Sequence, residues 1–86
     1  MNKLFLLPFL FLVFNLTAQK TYVPDDNFEQ ALIDLGHDDV LDDSVITANI
    51  NEVITLFIAE KDILDLTGIE GFTAMQTLYC FANNLT

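Results

Sequence analysis

The chain has 86 residues, 52% of them hydrophobic, and sets 13 acidic side chains against three basic ones for a formal net charge of −10. A charge of that sign and size repels nucleic-acid phosphates and anionic lipid surfaces, which excludes both as partners. One cysteine, Cys80, cannot make an internal disulfide, so a domain this small has to be held together by its core.

The N-terminal stretch is unlike the rest. Lys3 supplies a positive start, Leu4 to Phe14 form an apolar run around Pro8, and Asn15 to Gln19 are polar or small. That order is a secretory signal peptide over residues 1–18, with cleavage expected after Ala18. A spanning anchor needs about 20 apolar residues, more than this run supplies. A lipoprotein would need a cysteine just after the run, and the only cysteine is Cys80. Removal of residues 1–18 leaves Lys20 and Lys61 against all 13 acidic residues, a net charge of −11. The expected location is therefore secreted, extracellular or on the outer cell surface, with no membrane span after signal removal.

Residues 19–49 are expected to form an N-terminal cap. Phe28, Ala31, Leu32 and Leu35 fall on one helical stripe, which predicts a helix over about 26–35. Asp26 is placed as its N-cap, with Glu29 completing a capping box, and Gly36 as the residue that ends it. Acidic residues in the first turn suit the helix dipole and require no ligand. A helix this short is marginal alone in water, so its stripe has to cover something that follows.

His37 to Ser44 come next, with four carboxylates in a turn-like stretch: Asp38, Asp39, Asp42 and Asp43. Clustered aspartates can ligate calcium, but the spacing is not that of an EF-hand loop, which alternates acidic positions around a glycine and ends in a glutamate. A solvated acidic loop and a calcium site both stand as readings, and no other cofactor is expected. His37 has no second histidine or cysteine near it and reads as a surface residue.

From Ile50 the apolar spacing changes. Ile50, Val53, Leu56, Ile58 and Ile63 map onto Phe72, Met75, Leu78, Cys80 and Leu85 by a shift of 22 residues. That period suits a leucine-rich repeat, and L-x-x-L-x-L-x-x-N-x-L lies directly on Met75 to Leu85, with Asn83 at the asparagine position. The upstream copy, Val53 to Ile63, has Lys61 there instead. The predicted fold class is α/β, a leucine-rich-repeat solenoid of about one and a half repeats over residues 50–86, behind an amphipathic capping helix. On such repeats Leu56, Ile58, Leu78 and Cys80 alternate inward, so Cys80 reads as a small core residue. Asn83 is expected to bond backbone groups inside the bend.

The segment Ile63 to Met75 looks like the convex half of the short repeats of internalins. Together, Tyr22 to Leu32, the Asp-rich turn, Leu66-Thr-Gly-Ile-Glu70, Leu78-Tyr-Cys80 and Asn83-Asn-Leu85 resemble secreted leucine-rich-repeat proteins of the Bacteroidetes and Flavobacteria. The resemblance covers nearly all of the chain after residue 18. It implies a cell-surface or extracellular protein, often longer, with further repeats and a C-terminal sorting domain. The 86 residues contain neither, and are expected to be a truncated N-terminal piece or a short chain that self-associates through its open end.

Residues alternating with the inward ones place Thr55, Phe57 and Ala59 beside Thr77, Tyr79 and Phe81 on a concave face. Three aromatics there make either a ligand face or a set of rings that stack on one another to brace the strands. Protein or peptide is the expected ligand class, with carbohydrate the alternative. Nothing resembles an active site: no serine–histidine–aspartate set appears, and Gly36, Gly68 and Gly71 are too scattered to cradle a phosphate. The expected function is a non-catalytic binding or adhesion module. The alternatives are a structural cap fragment without activity of its own, and a calcium-binding module built on residues 38–43.

Overall fold

A computed structural model describes residues 18–86. Apart from Ala18, the expected signal peptide lies outside the described residues. In chain order these form strand β1 (Lys20–Tyr22), helix α1 (Asp26–Asp34), strand β2 (Ser44–Ile46), a 3-10 turn (Thr47–Asn49), strand β3 (Thr55–Phe57), a second 3-10 turn (Ile69–Gly71) and strand β4 (Thr77–Tyr79). No helix among the described residues is long and apolar enough to cross a membrane.

The solenoid expected from the repeat spacing is not what these residues build. They make two separate two-stranded sheets, β1 antiparallel to β2 and β3 parallel to β4, with a single helix. Apolar spacing specifies which side chains turn inward. It does not specify how many layers stack, and a solenoid needs several coils in series to bury a continuous core. Here one parallel pair is closed off by α1 and by the β1–β2 ribbon, and a single buried cluster runs through both halves of the chain.

The ribbon pairs Lys20 with Ile46, Thr21 with Val45 and Tyr22 with Ser44. Backbone bonds from Val23 N to Asp43 O and from Thr47 N to Gln19 O, both 2.9 Å, extend it by one step at each end. Pro24 cannot donate to a ladder, and the chain leaves the ribbon there to enter α1. The N-cap is Asp25, not Asp26: its carboxylate accepts from Asn27 N and Phe28 N at 2.9 Å. With the cap one residue earlier, Glu29 no longer sits where a capping box needs it.

Phe28, Ala31 and Leu32 are buried and Leu35 is largely exposed, because the helix ends at Asp34 and Leu35 serves as its C-cap. Full burial of a large apolar side chain is worth roughly 1.5–3 kcal/mol, so the stripe accounts for the helix far better than intrinsic propensity does. Phe28 meets Phe72 with ring centroids 6.4 Å apart, joining the helix to the segment before β4. Around this contact gather Val23, Val45, Ile50, Leu56, Ile58 and Ile63.

The parallel pair sets Thr55 against Thr77, Leu56 against Leu78 and Phe57 against Tyr79. Its backbone bonding continues past the strands, through Ile58 N to Tyr79 O, Glu60 N to Phe81 O and Asn84 N to Ile63 O. Asn83 closes the bend. Its Oδ1 accepts from Lys61 N and Ile63 N, and its Nδ2 donates to Ile58 O and Cys80 O, between 2.8 and 3.1 Å. Burial is unequal across the pair: Leu56 and Ile58 are fully buried, while Leu78 and Cys80 are only half-buried. Val53 and Met75 are also half-buried, and Leu85 is exposed.

Candidate functional site

The outer side of the parallel pair carries an aromatic strip. Phe57 is 53% exposed, Tyr79 44% and Phe81 55%. The rings touch: Phe57 and Tyr79 have centroids 5.4 Å apart, and Phe81 stands edge-on to Phe57 at 6.0 Å. Period-two alternation on β3 and β4 places them, since Leu56 and Leu78 point to the other face. Thr55 and Thr77 are exposed at the start of the same two strands. Ala59, expected beside them, is buried instead, near Ala31 and Leu35 at the end of α1. The strip therefore both braces the pair, by about 0.5–1.5 kcal/mol per ring contact, and leaves apolar surface open to solvent.

Next to the strip lies a cleft of about 350 Å³ between the end of α1 and the end of β3, lined by Ala31, Asp34, Leu35, Phe57, Ala59, Glu60 and Lys61. Asp34 and Glu60 carry no signal in the sequence. One is an ordinary surface position of an amphipathic helix, and the other lies three residues past a strand. Only the packing of the helix C-terminus against the strand end brings them to one concavity. Glu60 holds φ of 60°, in the left-handed region that non-glycine residues seldom occupy.

A second cluster lies behind α1. Glu29 is fully buried, and its Oε2 and Oε1 accept from Asp42 N at 3.2 Å and Asp43 N at 2.9 Å. Burial, followed by the neighbouring Asp38 carboxyl, pushes Glu29 up to about 7, against the backbone bonds that favour its charge. Among the described residues Asp38 Oδ2 is buried with no donor besides the proton that Glu29 can share with it. Asp42 accepts from both the backbone N and the hydroxyl of Ser44, and is held below the ordinary carboxylate range chiefly by the backbone bond. Ligand atoms of Glu29, Asp38 and Asp42 lie within 4.8 Å of one another, as do those of Asp26, Glu29 and Asp43. Of the four aspartates expected to ligate calcium, Asp38, Asp42 and Asp43 thus approach Glu29 in two groups, and Asp39 joins neither. The same arrangement can hold a proton between Glu29 and Asp38 or a cation between the carboxylates.

Glu29 is the residue that sequence reasoning misplaced. One signal was available: on a helical wheel it sits one step beside the Phe28–Leu32 stripe, where an acidic side chain meets the edge of the core. Cys80, one residue past β4, is half-buried with a free thiol. His37 is partly buried and belongs to neither carboxylate group.

No family model matches the chain, and no curated protein matches it.

Proposed function

We propose that this is an exported, non-catalytic binding module, related to secreted leucine-rich-repeat proteins, that recognises a protein or peptide through the face bearing Phe57, Tyr79 and Phe81. The observation that carries the reading is the strip itself: three contacting rings, each about half exposed, on the outer side of a paired sheet. Aromatic side chains supply large contact area at low conformational cost, which is why they anchor recognition surfaces. The motif Leu78-Tyr-Cys80 with Asn83-Asn-Leu85, and the signal-like N-terminus, support the family relationship and the export.

The test is binding of the full chain to peptide and glycan arrays, beside a Phe57→Ser, Tyr79→Ser double variant whose circular dichroism matches the parent. Signals on peptides that vanish in the variant support the reading. Signals that survive it, or none at all, remove it.

A calcium-binding module is the second reading, favoured by one observation: the buried Asp38 Oδ2, left without a donor once Glu29 has lost its proton, in the group that Asp38 forms with Glu29 and Asp42. Thermal melting at pH 8, where Glu29 is ionised, tests it. A midpoint raised by millimolar calcium, and not by magnesium, supports a calcium site, whereas an unchanged midpoint rules it out.

A further inference from the structure

The cleft beside the aromatic strip has a charge that its apolar walls do not need. Asp34 sits in the last turn of α1, where the helix dipole already presents negative charge, and that turn contains no basic residue. Among the described residues its carboxylate accepts from the side chain of Gln30 alone, at 3.0 Å, on its own helix. Glu60, three residues past β3, lines the same cleft in a left-handed backbone conformation. Asp43, Asp62 and Ala82 share that conformation, so it is a feature of the turns and not of the cleft. Ala31, Leu35 and Ala59 supply apolar walls, and Phe57 lines the same space. Lys61 is the one basic side chain among the lining residues, set against two carboxylates, the helix terminus and a chain otherwise rich in acid.

Two carboxylates, a helix C-terminus, an aromatic ring and short apolar walls together describe a receptor for a long cationic side chain. We propose that this cleft takes an arginine of a basic peptide, whose neighbouring residues lie across Tyr79 and Phe81. The guanidinium pairs with Asp34 and Glu60, its plane rests on Phe57, and its methylene stem is covered by Leu35 and the two alanines. Arginine suits the site better than lysine because its planar fork bonds carboxylates in pairs and stacks on rings. A volume of about 350 Å³ lies at the small end of ligand pockets, roughly 300–1,000 Å³, enough for one side chain and not for a folded element. The excess of negative charge also draws a basic segment toward this face before contact. The inference rests on the binding-module reading and narrows it to one ligand chemistry.

Fluorescence anisotropy tests it, with the full chain titrated into a fluorescein-labelled penta-arginine peptide at physiological salt and into the citrulline counterpart, which keeps the shape and loses the charge. The arginine peptide is expected to bind and the citrulline peptide to bind at least about tenfold more weakly. Asp34→Asn with Glu60→Gln is expected to weaken the arginine peptide by about tenfold or more. Asp39→Asn with Glu52→Gln removes the same charge from positions that do not line the cleft, and is expected to change affinity by less than about twofold. Glu60→Gln alone serves if the first double variant does not give the parental circular dichroism. Equal losses in the two double variants would overturn the proposal, since the attraction would then be the field of the whole chain. If the arginine peptide fails while a neutral peptide or an oligosaccharide binds in a Phe57-dependent manner, the cationic ligand is wrong and the binding module stands. If nothing binds, both readings fall.

Discussion

Glu29 is the residue whose environment does most to set the behaviour of this chain with pH. It is buried between α1 and the acidic loop, accepts two backbone bonds, and still titrates near 7, up from an ordinary 4.5, because burial and Asp38 both oppose its charge. From 4.5 to about 7 the folded chain keeps a proton that the unfolded chain releases. Its contribution is therefore complete below pH 4.5 and is lost as pH rises through about 7. Asp25 and Asp42 act in the opposite sense. Burial raises Asp25, but backbone bonds from Phe28, Leu64, Asp65 and Asn27 outweigh it and hold the carboxyl below its ordinary value; Asp42 is lowered chiefly by Ser44. Their contributions are present above that value and fall away in stronger acid. The melting midpoint is expected to decline from pH 4.5 to 8, and Glu29→Gln to flatten the decline. Parallel declines in parent and variant would show that the slope belongs to other groups.

At the scale of elements, joints matter more than the strands themselves, which are three residues each. Asp25 makes one such joint: Oδ1 caps α1 while Oδ2 accepts from Leu64 N and Asp65 N at 3.0 and 3.1 Å, fastening the helix start to the turn after β3. Gly68 makes another. Its φ is 108°, and a Cβ there would stand 2.7 Å from both Tyr22 O and Val23 Cγ2 of the ribbon. Gly36, at φ of 87°, has nothing within 4 Å of the same position. A left-handed conformation costs an alanine roughly 1–2 kcal/mol, and overlap with backbone adds about 1–3 kcal/mol. Gly68→Ala is accordingly expected to lower stability in urea unfolding by more than about 2 kcal/mol, and Gly36→Ala by about half that or less. Similar losses at the two glycines would mean that the ribbon moves aside freely.

For the molecule as a whole, the core is one-sided. Leu56 is fully buried in the cluster that also holds Phe28 and Leu32 of α1 and Val45 of the ribbon, while its strand partner Leu78 is half-buried. Leu56→Ala is expected to cost about 2–5 kcal/mol, as full truncation in a packed core does, and Leu78→Ala less than half as much. Equal costs in chemical denaturation would show that β4 is covered in solution by something further, such as a second copy. Much of this arrangement was legible in the residues alone. The Phe28–Leu32 stripe announces a helix, and the 22-residue spacing marks Leu56 and Leu78 as inward and Phe57 and Tyr79 as outward, because side-chain direction follows from local periodicity. The net charge and the signal-like N-terminus are likewise properties of composition and order. What periodicity cannot contain is which surfaces meet. The ribbon of β1 and β2 joins residues more than twenty positions apart through strands too short to show alternation. The cap passed to Asp25 because its second oxygen finds partners nearly forty residues away. Glu29 was drawn into the core by the packing of α1, and Asp34 to the rim of a cleft where the end of α1 meets the segment after β3. The absence of a stacked solenoid among the described residues has the same cause: local spacing sets the direction of each side chain, and long-range packing alone decides what lies opposite it.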